Sequence, residues 1–201
     1  MPMIRETIVT TADREGRVHI APLGIIADGE EWIIAPFRPS TTLDNLRAVP
    51  FAVANLTDDV RVFAGCLTGR HDWPTTASHA VPVPRLEAAL AHLELEVNRV
   101  VEDAQRPRLH CRVVHRAMHA PFAGFNRAQA AVVEASILVS RLRLLPREKV
   151  EGEMAYLEIA VAKTSGAEER QAWDWLTEKV RAYYADAQDN RAAHGGNAEK
   201  Q

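Results

Sequence analysis

Hydroxyl and guanidinium side chains cluster just after an apolar run near residue 35. Residues 32–35 have the composition of a β-strand, and Arg38, Ser40, Thr41 and Thr42 follow within a few positions. Apolar residues then continue to Pro50, so we predict a short helix that begins at this stretch. Backbone N–H groups and the positive end of the helix dipole converge at a helix N-terminus, where both favour anions. The stretch therefore suits a phosphate-like anion.

The same stretch has a second, simpler interpretation. Thr41 and Asp44 have the spacing of a capping box, in which side chains satisfy the unpaired N–H groups of a helix start. On this interpretation the segment is only a well-capped short helix, and Arg38 is solvated. These residues alone leave both interpretations open, because capped helices are common and anion sites are rare.

Charge and cysteine content restrict the class of protein. The chain has 201 residues and a net charge of −3, whereas a general nucleic-acid binder is usually clearly basic. Its two cysteines, Cys66 and Cys111, form no CxxC motif and suit a reducing compartment. The sequence shows neither the apolar region of a signal peptide nor a run of membrane length. We therefore expect a cytoplasmic protein that binds neither nucleic acid nor membrane.

The N-terminal part of the chain has the pattern of β-strands. Residues 4–36 are typical of a meander, with turn chemistry at Gly16 and Gly29. Residues 51–55 form a further short apolar run after Pro50. Residues 67–84, rich in Gly, Pro and Thr, predict a long loop.

Two later segments have the period of β-strands. Residues 93–97 alternate strictly between apolar and acidic side chains, and residues 108–118 alternate as well. One face of the second segment carries a series of alternate residues: Leu109, Cys111, Val113 and His115.

The period changes to that of helices at Asn126, a good N-cap residue. We predict three helices from there, separated at Pro146 and near Gly166. Strands first and helices after favour the α+β class, and the absence of GxGxxG and P-loop motifs disfavours a dinucleotide-binding fold or an NTPase. The expected organisation is a β-domain over residues 1–122, a helical subdomain over 123–188 and a disordered tail over 189–201.

The histidines and one acidic pair are further groups that could bind a metal or transfer protons. His115 and His119 are four residues apart, and on a strand that step spans about 13 Å, too far for one zinc ion. His71 and His79 lie in the long loop without a thiolate partner, so we expect no metal site. Asp58-Asp59 is interpreted as a helix start rather than an acid–base pair, and the catalytic residues stay unidentified.

In combination, the motifs resemble the FMN-binding split β-barrels, which include pyridoxamine 5'-phosphate oxidases and flavin reductases. The chain is most similar to a subgroup found in archaea and one-carbon-metabolising bacteria, over about residues 4–187. The resemblance rests on an opening hairpin over residues 8–24 and on three further motifs: residues 38–46, residues 53–59 and residues 125–128.

This resemblance implies a split barrel of the FMN-binding type followed by a three-helix segment, and a homodimer with FMN at its interface. It also implies that the phosphate is held by Arg38, Ser40, Thr41 and Thr42. The flavin ring would be lined by the strand around Leu23, Gly24 and Ile25 and by the turn from Asn55 to Thr57. The remaining residues of the expected cofactor set are Asn45 and Arg127.

The activity implied by the resemblance is that of an FMN-dependent oxidoreductase of flavin reductase type. Its electron donor or substrate would be a nicotinamide or another small molecule, and neither is named by the sequence. The alternatives are a non-enzymatic FMN-binding or carrier protein, and an interaction protein.

Overall fold

The computed structural model describes residues 3–195, and side chains as far as residue 186. Strands predominate as far as residue 118, with two short helices among them, and three longer helices follow. In chain order they are β1 (Ile4–Ala12), β2 (Val18–Asp28), β3 (Glu31–Ile34), α1 (Thr41–Ala48), β4 (Phe51–Leu56), α2 (Val60–Leu67), β5 (Thr75–Thr76), β6 (Arg85–Leu86), β7 (Ala91–Val101), β8 (Arg108–Met118), α3 (Arg127–Ser140), α4 (Arg147–Thr164) and α5 (Ala167–Gly195).

Six antiparallel strands close into a barrel in the order β1-β2-β3-β8-β7-β4, with β4 pairing back onto β1. The hairpins β1–β2 and β2–β3 turn at Gly16 and Gly29, whose φ angles are +79° and +64°. Such positive φ angles strain residues with a Cβ, which explains why glycine stands in both turns. The predicted α+β class with a split-barrel fold is confirmed.

One face of each barrel strand packs into a common core. Val9, Ile25, Ala54, Leu95 and Leu109 are among its fully buried members. Two residues of α1, Leu43 and Leu46, belong to the same cluster. Helix α1 is thereby fixed to the barrel through its apolar side, while its N-terminus stays near the surface.

The segment from residue 67 to 84 is less irregular than the predicted loop. Thr75 and Thr76 pair with residues of β6 in a two-stranded sheet. Val81 and Val83 pack on Val53, a residue of β4 that faces away from the main core. This covering segment, residues 77–86, therefore buries part of the outer surface of the barrel.

An irregularity in β8 changes which way its side chains face. Glu94 on β7 pairs with His115, but the next residue, Leu95, pairs with Val113, so Val114 is an extra residue. This β-bulge interrupts the alternation of β8. His115 therefore lies opposite Glu94 instead of continuing the inward series of Leu109, Cys111 and Val113.

The helical part follows the predicted boundaries closely. Asn126 caps α3, because its side chain accepts hydrogen bonds from the N–H groups of Ala128 and Gln129. Helix α5 continues to Gly195, so residues 189–195 of the expected disordered tail are helical, and residues 196–201 lie outside the described part.

The chain divides into two compact units. Within the described residues, the barrel unit comprises residues 3–62 and 70–124, and the helical unit comprises residues 63–69 and 125–195. Most of α2 is thus grouped with the C-terminal helices, although the sequence pattern placed it in the β-domain. The boundary expected at residue 122 stays a prediction.

Candidate functional site

The N-terminus of α1 is capped by Ser40, one residue before the predicted cap. Ser40 has extended backbone angles, and its Oγ accepts a hydrogen bond from the N–H of Leu43 at 3.3 Å. The predicted capping box of Thr41 and Asp44 is therefore wrong, because Thr41 is already the first helical residue. Its side chain is exposed, which leaves the Thr41 hydroxyl at the surface of the first turn.

Arg38 is paired and not simply solvated. Its Nη2 donates to Glu102 Oε2 at 2.6 Å, and its Nε donates to the carbonyl of Asp103 at 3.2 Å. Arg47, in the last turn of α1, contacts the same carboxylate at 2.8 and 2.9 Å. The Glu102 side chain is 63% exposed, so both ion pairs are open to solvent and to exchange.

A third guanidinium, from the turn between β7 and β8, contacts the residues that follow β3, and the sequence pattern did not reveal it. Arg106 donates from Nε to the carbonyl of Ala35 at 2.7 Å, and its guanidinium carbon lies 4.9 Å from the centre of the Phe37 ring. Asp103 turns its carboxylate to the N–H groups of Arg106 and Gln105, which together lower its pKa. Arg106 therefore attaches the turn between β7 and β8 to the β3–α1 connection.

Two other residues of the expected cofactor set face inward: Thr42, expected at the phosphate, and Asn45. Thr42 is buried, and Asn45 donates from Nδ2 to the Thr11 hydroxyl at 3.1 Å. This buried hydrogen bond joins α1 to β1. Asn45 therefore positions the helix, whereas Arg38, Ser40 and Thr41 lie at its N-terminal end.

Asn55 and Thr57 connect the barrel to neighbouring loops. Asn55 is fully buried; its Nδ2 donates to the carbonyl of Ile8 at 2.9 Å, and its Oδ1 accepts from the N–H of Leu86 at 2.8 Å. Thr57 donates from its hydroxyl to the carbonyl of Ala88 at 3.0 Å. Both side chains have protein partners, and their contact with a flavin stays a prediction.

The segment expected along the flavin ring lies in β2. Ile25 is fully buried in the barrel core, and Leu23 packs partly against the same core. A Cβ built at Gly24 would lie 2.8 Å from the Ile4 side chain, so a larger residue would not fit without displacement. A flavin at this strand would contact backbone atoms and half-buried side chains, and this contact stays a prediction.

Arg127 belongs to the helical unit. It is the first residue of α3 and lines a cavity of about 260 Å³ with residues of α3 and α4, including Glu134 and Tyr156. Its expected contact with the cofactor stays a prediction.

The barrel also assembles a group that sequence reasoning missed: the histidine–glutamate cluster, formed by His92, Glu94, His115 and His119. His92 Nε2 lies 3.0 Å from Glu94 Oε1, and His92 Nδ1 lies 2.8 Å from His119 Nε2. His92 and Glu94 are 3% and 0% exposed. The only available signal was the i,i+2 spacing of His92 and Glu94 on a strand, which is a weak one.

Glu94 accepts four hydrogen bonds in the barrel unit. Its Oε1 accepts from the N–H of His79 at 2.7 Å and its Oε2 accepts from Ala80 at 2.6 Å and Val81 at 3.0 Å, besides the contact with His92. Burial by itself raises the pKa of this carboxyl, but the hydrogen bonds outweigh burial and the pKa is lowered. Glu94 is therefore a buried carboxylate that anchors the covering segment.

The two cysteines and Asp59 lie in surroundings that favour a structural role over a catalytic one. Burial raises the pKa of the Cys66 thiol to about 11 and that of Cys111 to about 12, so neither is a thiolate at neutral pH. Asp59 accepts from the N–H of Arg61 at 3.1 Å at the start of α2 and pairs with its guanidinium at 2.7 Å. The interpretation of the acidic pair as a helix start is thus supported by Asp59.

Solved structures share this architecture. An FMN-bound DUF447 protein from Methanosarcina mazei matches with a TM-score of 0.78 at 22% identity, over 89% of this chain and 96% of that chain. A 2-nitrobenzoate 2-nitroreductase from Pseudomonas fluorescens matches with a TM-score of 0.50 at 20% identity, over 59% of this chain and 66% of that chain. An FMN-binding protein from Thermus thermophilus matches with a TM-score of 0.50 at 19% identity, over 59% and 73%.

At these identities the likeness establishes the fold. No curated protein matches the sequence. None of the helices in the described part of the chain combines the length and hydropathy that a membrane crossing needs.

Two family models match the chain directly. The model described as the N-terminal domain of a protein of unknown function (DUF447) matches residues 5–120, and the companion DUF447 model matches residues 126–178. The predicted membership of a family with the split-barrel fold is confirmed. These two matches cover the barrel and most of the helices that follow it, and the chain belongs to the DUF447 family.

Proposed function

We propose that this protein binds FMN with its phosphate at the N-terminus of α1, and that it is an oxidoreductase of flavin reductase type. The observation that carries the proposal is the arrangement of Arg38, Ser40 and Thr41 at a helix start, on a fold that an FMN-bound family member shares. When bound, FMN supplies hydride or single-electron transfer. The chain's own residues then bind and orient it.

The donor set of this helix start fits a phosphate monoester. Arg38 already pairs with a carboxylate, that of Glu102, so its guanidinium is in a position to bind an oxyanion group. A phosphate has more acceptor oxygens and more charge than one carboxylate, so it competes well for Arg38. Since Ser40 Oγ accepts from Leu43, its hydroxyl hydrogen remains able to donate.

A homodimer is part of the proposal, with the cofactor at the interface. Large apolar side chains of the barrel unit are exposed, including Phe37 at 59% and Met118 at 78%. Exposed apolar groups of this size favour a contact surface. We also propose a cytoplasmic location, consistent with two cysteines that form no disulfide.

The first experiment is an absorption spectrum of the freshly purified protein, with mass spectrometry of any compound released by heat. We expect heat to release FMN. We also expect the FMN-loaded protein to consume reduced nicotinamide in steady-state assays. FMN that binds but never turns over with reduced nicotinamide would favour a carrier. A protein that neither retains nor binds FMN would overturn the proposal.

A pair of variants locates the phosphate. Arg38→Ala should weaken FMN binding roughly tenfold to a hundredfold, the loss expected for a charge-assisted hydrogen bond. Arg47→Ala is the matched control, because Arg47 contacts the same Glu102 carboxylate from the opposite end of α1. Equal FMN dissociation constants for the two variants, by fluorescence titration, would remove the phosphate from the N-terminus of α1.

A further inference from the structure

Within the histidine–glutamate cluster, three side chains have the geometry of a metal site. His92, Glu94 and His115 each offer a ligand atom, and these atoms all lie within 4.8 Å of one another. Two imidazole nitrogens and one carboxylate oxygen form a common ligand set for Zn²⁺ and related transition metals. A water molecule completes the coordination of such a three-ligand set.

The neighbours of these ligands match what a metal site needs around it. His92 bound through Nε2 carries its proton on Nδ1, which then donates to His119 Nε2 at 2.8 Å. The His115 ring stacks on the His79 ring, with centroids 4.5 Å apart. Glu94 Oε1 keeps the N–H of His79 and Oε2 keeps those of Ala80 and Val81, so the metal replaces only the His92 hydrogen bond.

A second group in the barrel unit shows why ligand atoms alone are not enough. Asp28, Glu31 and His110 also lie within 4.8 Å of one another. There, however, Arg99 Nη2 lies 2.9 Å from His110 Nδ1 and donates to it. The guanidinium occupies the nitrogen that a metal would need and adds a repelling positive charge. Among the side chains that the structure describes, no guanidinium forms a hydrogen bond with a ring nitrogen of His92 or His115.

We propose that His92, Glu94 and His115 bind one divalent transition-metal ion of the zinc class on the outer surface of the barrel. His119 is a positioning residue, which holds the His92 ring through Nδ1. Because Glu94 also holds residues 79–81, the ion would link the covering segment to β7 and β8. This site is separate from the proposed phosphate position at α1 and does not depend on it.

The test uses the full chain after treatment with a chelator and dialysis. Isothermal titration with Zn²⁺ should show one ion bound per chain, and Co²⁺ should give the strong visible absorption of a low-coordinate complex. His115→Ala should weaken Zn²⁺ binding at least tenfold, and His119→Ala roughly tenfold to a hundredfold. His71→Ala, an exposed histidine outside the cluster, should leave binding unchanged.

His115→Ala is the decisive variant, because His115 is only half-buried and none of the four hydrogen bonds of Glu94 comes from it. Circular dichroism of each variant confirms that it is folded. Absence of stoichiometric Zn²⁺ binding by the parent protein would overturn the proposal, and so would equal affinities of the parent and His115→Ala. FMN content measured on the same samples reports on the phosphate site independently.

Discussion

The N-terminus of α1 and the histidine–glutamate cluster lie in one barrel unit but are built in opposite ways. At α1, the capping hydrogen bond joins Leu43 to Ser40, three residues away. In the cluster, His92 meets His119 across 27 residues, and Glu94 meets His79 across 15. The first arrangement belongs to one segment, whereas the second exists only when two strands and the covering segment are folded together.

The two regions also treat negative charge differently. The Glu102 carboxylate between Arg38 and Arg47 is mostly exposed, so its ion pairs contribute little to stability and cost little to break. Glu94 is fully buried, and its charge is stabilised mainly by backbone N–H groups of residues 79–81. An exchangeable carboxylate suits ligand binding, while a fixed carboxylate suits anchoring.

Loss of the fixed carboxylate should have the largest effect. Glu94→Ala leaves three backbone N–H groups and His92 without their acceptor, so we expect a loss of about 3–5 kcal/mol in the free energy of unfolding. Urea denaturation followed by circular dichroism measures it. If the variant does not fold, Glu94→Gln, which keeps one acceptor oxygen, provides an intermediate case.

Glu96→Ala is the matched control on the same strand. Glu96 pairs with Arg112 at 2.6 Å, but the Arg112 side chain is 63% exposed. We expect a loss below about 1 kcal/mol, as for other solvent-exposed ion pairs. Equal losses for the two variants would mean that burial does not distinguish Glu94 from a surface carboxylate.

Lowering the pH should remove the stabilising contributions of Glu94 and His119 more gradually than a substitution does. The pKa of Glu94 is lowered in the folded state, so its contribution to stability is present above the unfolded pKa of about 4.3 and is lost as the pH falls through the folded value. Burial and the nearby charges of Arg85 and His92 lower the pKa of His119, so its contribution begins to fall below about pH 6.5.

The measurement is the free energy of unfolding as a function of pH for the parent and for Glu94→Ala. The parent should lose stability more steeply than the variant below about pH 4.5, because only the parent must protonate a stabilised carboxylate. Parallel curves would show that Glu94 titrates alike in the folded and unfolded states.

Much of the fold was predictable because the sequence patterns that determine it are local. Turn glycines, the alternation of residues 93–97 and the helical period after Asn126 all act over a few residues, and the observed elements follow them. The start of α1 was also predictable to within one residue. Choosing Thr41 over Ser40 as the cap went wrong because both hydroxyls suit the position, and only the extended backbone of Ser40 decides between them.

The cluster was not predictable for two physical reasons. An alternation of apolar and acidic residues is typical of a strand with one solvent-exposed face. Nothing in the local sequence shows that residues 79–81 will cover Glu94. The bulge at Val114 then changes the side of the barrel on which His115 lies. The expectation of no metal site rested on the spacing of His115 and His119 along one strand and on loop histidines without a thiolate partner. The cluster instead brings together residues of neighbouring strands, which spacing along one strand does not reveal.

The smallest effect should come from the exposed, local region, and it tests the correction made there. Ser40→Ala removes the oxygen that accepts from the Leu43 N–H, so we expect a loss of about 1 kcal/mol in the free energy of unfolding. Thr41→Ala removes an exposed hydroxyl from a position inside the helix, where alanine is the better helix former, and should change stability by less than about 0.5 kcal/mol. Both are measured without flavin, by urea denaturation, so that ligand binding does not add to stability. The reverse order, with Thr41→Ala the more destabilised, would restore Thr41 as the cap and move the start of α1 by one residue. It would also move the N–H groups that the proposed phosphate position requires.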